Sequence, residues 1–183
     1  LIIDGKNAKW SSSNTNIATV DQTGMVTGVS CGETTINATI GDKTASIRVI
    51  VSYDDVNEDD WYYNSVIYCA TNKIIYGTSD TTFSPNNKLT RGNLVTLLWR
   101  MEGSPKISGE QKFSDVKSQE YYYDAVNWAG SKGIVNGYED GKFRPNNNIT
   151  REQLATILMN YAKYKGKDTR AVSYTHLRAH ETL

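Results

Sequence analysis

Tyr53-Asp54-Asp55-Val56, Phe83-Ser84-Pro85-Asn86-Asn87 and Leu89-Thr90-Arg91 recur sixty positions later as Phe113-Ser114-Asp115-Val116, Phe143-Arg144-Pro145-Asn146-Asn147 and Ile149-Thr150-Arg151. The register between 53–103 and 113–163 needs no gap. Tyr62-Tyr63 meets Tyr122-Tyr123, Val66 meets Val126, Ile74 meets Ile134, and Gly77 meets Gly137. Leu94, Thr96 and Leu98 meet Leu154, Thr156 and Leu158. The chain has three prolines: two occupy the matched loop, and Pro105 sits in the linker between the copies. Self-similarity at a fixed period predicts two copies of one supersecondary unit.

Each copy reads as helix, loop, helix. Tyr62, Val66 and Ala70 share one helical face, as do Tyr122, Val126 and Gly130. Ile74-Ile75 and Ile134-Val135 read as short strand-like pieces ending at Gly77 and Gly137. The second helix opens at Thr90 or Thr150, and Thr150-Arg151-Glu152-Gln153 fits a capping box. Leu94, Leu97, Leu98 and Met101 line one side of it, as do Leu154, Ile157, Leu158 and Tyr161 in the copy. A two-helix unit cannot bury such a face alone, so the units are expected to pack on each other.

Ahead of the repeats the composition changes. Eleven of twelve tyrosines lie between Tyr53 and Tyr164, and none precedes them. Residues 1–52 are instead rich in Ser, Thr, Val, Ile and Gly. Ile17-Ala18-Thr19-Val20, Met25-Val26-Thr27, Thr34 to Ile40 and Ala45 to Val51 are short β-branched runs split by Gly, Asp and Asn. That pattern predicts antiparallel strands with tight turns, a small sandwich or part of one.

Composition bounds the function. The 183 residues carry 20 basic and 20 acidic groups, and 38% of them are apolar. This is too apolar for a disordered tail and fits one or two small domains. A balanced charge argues against a nucleic-acid or anionic-membrane binder, which needs surplus Lys and Arg. No apolar run reaches the about 18 residues of a membrane helix. There is no leader-like start and no initiator Met, so Leu1 reads as a cut inside a longer protein. Cys31 and Cys69 are too few for a disulfide framework or a metal cluster and are expected to be buried free thiols.

Two families are resembled. Trp10-Ser11-Ser12-Ser13-Asn14, Ile17 to Asp21, Gly24 to Val29, Gly32 and Thr35-Ile36 resemble the group 2 bacterial immunoglobulin-like domain. Only nine residues precede Trp10, so that domain is expected to be truncated at its N-terminus. The repeats resemble S-layer homology repeats. That pattern runs aromatic-x-Asp-Val, an aromatic-rich helix, a Gly-Ile-Ile-x-Gly-like stretch, Phe-x-Pro, then Thr-Arg-Ala-Glu. Lys73 departs from it where Gly133 keeps it, and neither copy has Ala-Glu after its Arg. The expected organisation is an immunoglobulin-like domain over 1–52, repeats over 53–103 and 113–166 joined by linker 104–112, and a tail over 167–183. The fold class is therefore multi-domain: a truncated all-β immunoglobulin-like sandwich, then mainly α-helical repeats. The tail, from Val172 on, is similar to translated adaptor read-through. It holds the only histidines, His176 and His180, whose i,i+4 spacing lacks the third ligand a zinc site needs.

No nucleophile with its base, phosphate loop or metal set appears in the repeats, so no catalytic residue and no cofactor is expected. The acidic run Asp54, Asp55, Glu58, Asp59, Asp60 reads as a solvated helix entry and fits no calcium loop. The Thr90-Arg91 and Thr150-Arg151 pairs ask for an anion, because a cation at a helix start opposes the helix dipole. Two partners are open. One is internal: Asp55 or Asp115 pairs with an arginine. The other is a ligand carboxylate or phosphate, held by helix N–H groups and a guanidinium fork. The resemblance favours the second, since such repeats imply binding of a pyruvylated secondary cell-wall polysaccharide. Trp61 and Tyr121 stack on a sugar face or simply pack. Gly77 and Gly137 admit a ligand or make a turn. Residues 53–103 carry 4 basic and 7 acidic groups, and residues 104–170 carry 11 and 8. This asymmetry points to the second copy, with Arg151, Thr150, Asp115, Tyr121 and Gly137, as the better anion site. The expected function is noncovalent anchoring of a surface protein outside the cell, at the cell wall or S-layer, without nucleic acid or membrane insertion. The alternatives are a lattice or protein-contact module, or the anchor of a surface glycan hydrolase whose catalytic domain lies elsewhere.

Overall fold

The computed structural model describes residues 8–107 and 111–169. The residues ahead of Ala8, where the truncation is expected, and the tail histidines lie outside the described residues. The chain divides into two compact units, one up to Lys88 and one from Leu89 onward. The division falls inside the first sequence repeat.

The first unit opens with five strands: β1 (Lys9–Ser12), β2 (Ala18–Val20), β3 (Val26–Gly28), β4 (Gly32–Ile40) and β5 (Lys43–Val51). All pairings are antiparallel, in a three-stranded sheet ordered β1-β4-β5 and a two-stranded β2-β3 sheet. β4 alternates strictly, turning Gly32, Thr34, Ile36 and Ala38 inward, as a half-buried strand should. Buried Thr34 is satisfied locally, because its hydroxyl accepts the Asn14 amide at 3.0 Å. Helix α1 (Tyr63–Thr71) follows in the same unit. Its buried Val66 and Ala70 join Tyr53 and Val56 in a small core, against which Cys31 and Phe83 pack. The acidic run lies before this helix, whose first turn contains no acid. Both cysteines are free and only half-buried, a correction to the buried thiols expected.

The second unit contains α2 (Arg91–Met101), α3 (Tyr123–Ser131) and α4 (Arg151–Tyr164). Leu94, Val95 and Leu98 of α2 share one core with Val116, Ala125, Val126, Trp128, Ala129 and Phe143 of the second repeat. The closing helix of one repeat thus packs with the opening helix of the next. Thr150 and Gln153 form the expected capping box, and Thr90 accepts the Asn93 amide at 3.1 Å.

The strand-like pieces are not strands. The Ile74 amide bonds Cys69 O at 2.8 Å, and the Ile134 amide bonds Ala129 O at 2.9 Å. These six-residue wraps close α1 and α3 through Lys73 (φ 58°) and Gly133 (φ 68°). Their amides are committed to ending a helix, so no ladder forms. Among the described residues, no helix is long and apolar enough to cross a membrane.

Candidate functional site

The two Asp-Val aspartates have one job in both copies. Asp55 accepts the Phe83 and Ser84 amides, each at 2.7 Å. Asp115 accepts the Phe143 and Arg144 amides at 2.8 and 2.7 Å. Ser84 and Arg144 have φ of 61° and 56°, and this turn points two successive N–H groups at one carboxylate. The Phe83 amide, then that of Ser84, holds the Asp55 carboxyl below its ordinary value. Neither aspartate forms an ion pair with an arginine among the described residues, so the expected Asp–Arg bridge is corrected: the loop backbone takes both carboxylates first.

Arg91 is 6% exposed. Its Nε donates to Phe143 O at 2.9 Å. Its guanidinium carbon sits 4.6 Å from the Phe143 ring centre and 4.9 Å from that of Tyr138. Arg144 lies 4.2 Å from the same Tyr138 ring and pairs with Asp140 at 3.1 Å. Burial pushes the Arg91 pKa down and Arg144 adds to this, while Tyr138 and Asp115 oppose it. An arginine stays cationic regardless. The helix start is not an empty cradle. The Arg91 amide donates to Asn147 O at 2.9 Å and the Gly92 amide to Pro145 O at 2.8 Å. That corrects the expectation of free N–H groups at this terminus.

Beside Arg91 opens a cleft of about 310 Å³, lined by Arg91, Ile134, Gly137, Tyr138, Gln153 and Thr156 among others. Gln153 Nε2 donates to the Tyr138 hydroxyl at 3.0 Å. Gly137 is fixed by the fold, with φ of 73°, and an added Cβ would lie 2.4 Å from the Phe113 ring. At Gly77 a Cβ would lie 2.1 Å from Thr82 O. Both glycines therefore serve the loop's packing.

The structure gathers Thr90, Arg91, Asp115, Tyr121 and Gly137 in the second unit. Tyr121 is 56% exposed and packs edge-on against Tyr122. Thr150 caps α4, and exposed Arg151 is not among the residues lining the cleft. The arginine beside Gly137 thus comes from the first copy. Asp55, Trp61 and Gly77 belong to the first unit, where Trp61 is 93% exposed and edge-on to Tyr62. Sequence reasoning missed Tyr138, Arg144 and Gln153. The available signal was a departure between copies, since Tyr138 and Arg144 stand where the first copy has Thr78 and Ser84. Among the described residues, no cluster of three metal-ligating side chains occurs.

The pattern of the S-layer homology domain matches residues 52–92 and 112–155, and that of the bacterial Ig-like domain (group 2) matches residues 4–51. An amylopullulanase of Thermoanaerobacterium thermosulfurigenes is 31% identical over 80% of this chain and 8% of its own length. An endoglucanase of Bacillus sp. (strain KSM-635) is 35% identical over 61% of the chain and 12% of its own length. A cellulosome-anchoring protein of Acetivibrio thermocellus is 27% identical over 46% of the chain and 20% of its own length. The chain spans only a small part of each of these relatives. The described architecture and these matches agree: the chain is a group 2 bacterial Ig-like domain followed by two S-layer homology segments.

Proposed function

We propose that this chain is a noncatalytic anchor. It holds a bacterial surface protein to the cell wall by noncovalent binding of a pyruvylated secondary cell-wall polysaccharide. The S-layer homology segments and the relative named as cellulosome-anchoring support wall attachment outside the cell. The functional boundaries on this reading are an Ig-like spacer over 1–52 and repeats over 53–103 and 113–166. The ligand site is the cleft beside Arg91. One observation carries it: a buried guanidinium lines an open cleft, spends Nε on Phe143 O and makes no ion pair among the described residues. Its remaining donors suit the carboxylate of a pyruvyl ketal. Tyr138 lines the same cleft beside the guanidinium, and exposed Tyr121 offers a ring to the sugar outside it. Two relatives named as polysaccharide-degrading enzymes favour a glycan hydrolase as the protein carried.

Co-sedimentation with purified walls, pyruvylated or pyruvate-free, tests this reading. Arg91→Gln removes the fork. Thr156→Trp fills the cleft from an exposed position and spares the core. Arg151→Ala serves as the control. Loss of binding in the first two, retention in the control, and dependence on the ketal are expected. Binding that survives Thr156→Trp, or that needs Arg151 instead of Arg91, overturns the site.

A further inference from the structure

The two repeats are matched in sequence but not in burial. In the second unit, the first turn of α2 covers the surface formed by Tyr122, Ala125, Phe143 and Pro145, all buried. Three backbone-anchored bonds fix it there: Arg91 N to Asn147 O, Gly92 N to Pro145 O, and Arg91 Nε to Phe143 O. The matching surface of the first unit is open. Tyr62, Ser65, Cys69, Ile75, Phe83 and Pro85 line a cleft of about 410 Å³, and none of the six is buried. The loop is nonetheless already shaped. Asp55 clamps it as Asp115 clamps its copy. Tyr53 and Phe83 sit 5.4 Å apart, and Phe113 and Phe143 sit 5.5 Å apart, at similar tilts. Phe83, Pro85 and Asn87 match in sequence Phe143, Pro145 and Asn147, whose carbonyls receive α2.

The complementary face is also open, at α4. Positions matching Arg91, Gly92, Val95, Thr96 and Leu98, all buried in α2, are Arg151, Glu152, Ala155, Thr156 and Leu158, all exposed in α4. Leu158 is 43% exposed and Met159 41%. Charge agrees, since residues 53–88 carry six acidic against two basic groups, while α4 carries two basic against one acidic. One position resists. At Gly92 a Cβ would lie 3.1 Å from both Pro145 O and the Tyr122 ring and 3.2 Å from Pro145 Cβ, so Glu152 would need the matching Pro85 loop and Tyr62 ring to shift by a few tenths of an ångström. Both Tyr62 and Pro85 are only half-buried.

We infer that the open cleft of the first unit is a docking site for the α4 helix of a second copy of this chain, seated as α2 seats on the second repeat. The contact is heterologous, so it joins copies head to tail. Opposite charges favour it and make it sensitive to salt. It shares Glu152 and Thr156 of α4 with the lining of the Arg91 cleft, whereas Ser65 and Ala155 line only the proposed contact.

Analytical ultracentrifugation of the full chain over a concentration series tests it. Ser65→Arg blocks the cleft and Ala155→Arg blocks the helix. Both positions are exposed, and circular dichroism checks that each variant folds. The wild type should gain mass with concentration, and less so in high salt. Each variant alone should stay at the mass of one copy. An equimolar mixture should stop at two copies, because only one intact cleft meets one intact helix. A wild type that stays monomeric overturns the proposal, as does association that persists in either variant. It also fails if the wild type stays monomeric while Ser65→Arg loses wall binding, since the cleft then takes saccharide.

Discussion

Arg91 Nε donates to the carbonyl of Phe143 at 2.9 Å across 52 residues of chain, joining the start of α2 to the Phe-x-Pro loop of the following copy. Arg151, the matched arginine, is exposed at the start of α4. Replacing each should separate the two roles. Arg91→Ala leaves the Phe143 carbonyl without its donor and opens a gap beneath Tyr138. Its cost should be about 2–4 kcal/mol. Arg151→Ala should stay within about 0.5 kcal/mol, as exposed substitutions usually do. Urea unfolding of both variants reads the difference directly, and equal effects would contradict the buried role of Arg91.

This pair also marks what the sequence could and could not disclose. The sixty-residue register located all four helices, the capping box at Thr150 and the matched loops, because periodicity and cap chemistry are local. It could not say which neighbour a helical face meets. Arg91 and Arg151 stand in equivalent motifs, yet one is buried against the next copy and the other is exposed. The aspartates show the same limit. Opposite charge suggested an Asp–Arg bridge, but a turn with positive φ at Ser84 and Arg144 presents amides to the carboxylate first. Ile74-Ile75 looked like a strand by residue type alone, and the six-residue helix-ending bond that claims its amides leaves no trace in hydrophobicity.

The clamp predicts an acid response. In the folded chain the Asp55 carboxyl sits below its ordinary value because it accepts the Phe83 and Ser84 amides. A depressed folded pKa contributes stability that is present above the unfolded value and is lost as pH falls through the folded one. Asp55→Asn should therefore be less stable than wild type near neutrality. The gap should close as pH drops from about 5 to about 2. Denaturant midpoints for both chains across that range check it, and a gap that stays constant would show that the charge is irrelevant.

Lys73 holds φ of 58° at the end of α1, where the matched residue is Gly133 at 68°. A left-handed backbone costs a side-chain-bearing residue about 1 kcal/mol relative to glycine. Lys73→Gly should stabilise the first unit by roughly that amount, and Gly133→Ala should destabilise the second similarly. Thermal unfolding of the single variants gives opposite shifts if the six-residue closures are as described. Same-sign shifts would contradict the matched helix endings.

Tyr161 of α4 donates to Glu102 Oε1 at 2.5 Å, and Lys165 Nζ reaches the same carboxylate at 3.0 Å. Glu102 caps the end of α2, so this trio ties α4 to α2. Burial first, and then the Glu102 charge, push the Tyr161 pKa up to about 12. A raised folded pKa contributes stability that is complete below the unfolded value and disappears as pH rises through the folded one. Alkaline titration followed by tyrosinate absorbance should show a group titrating at about 12 that vanishes in Tyr161→Phe. Glu102→Gln removes the charge and should bring that titration earlier while the hydroxyl remains. Tyr161→Phe should cost about 1 kcal/mol at neutral pH and nothing further once the wild-type phenol has ionised. If Glu102→Gln leaves the late titration where it was, the carboxylate does not hold the proton on Tyr161, and the link between α2 and α4 is apolar packing alone.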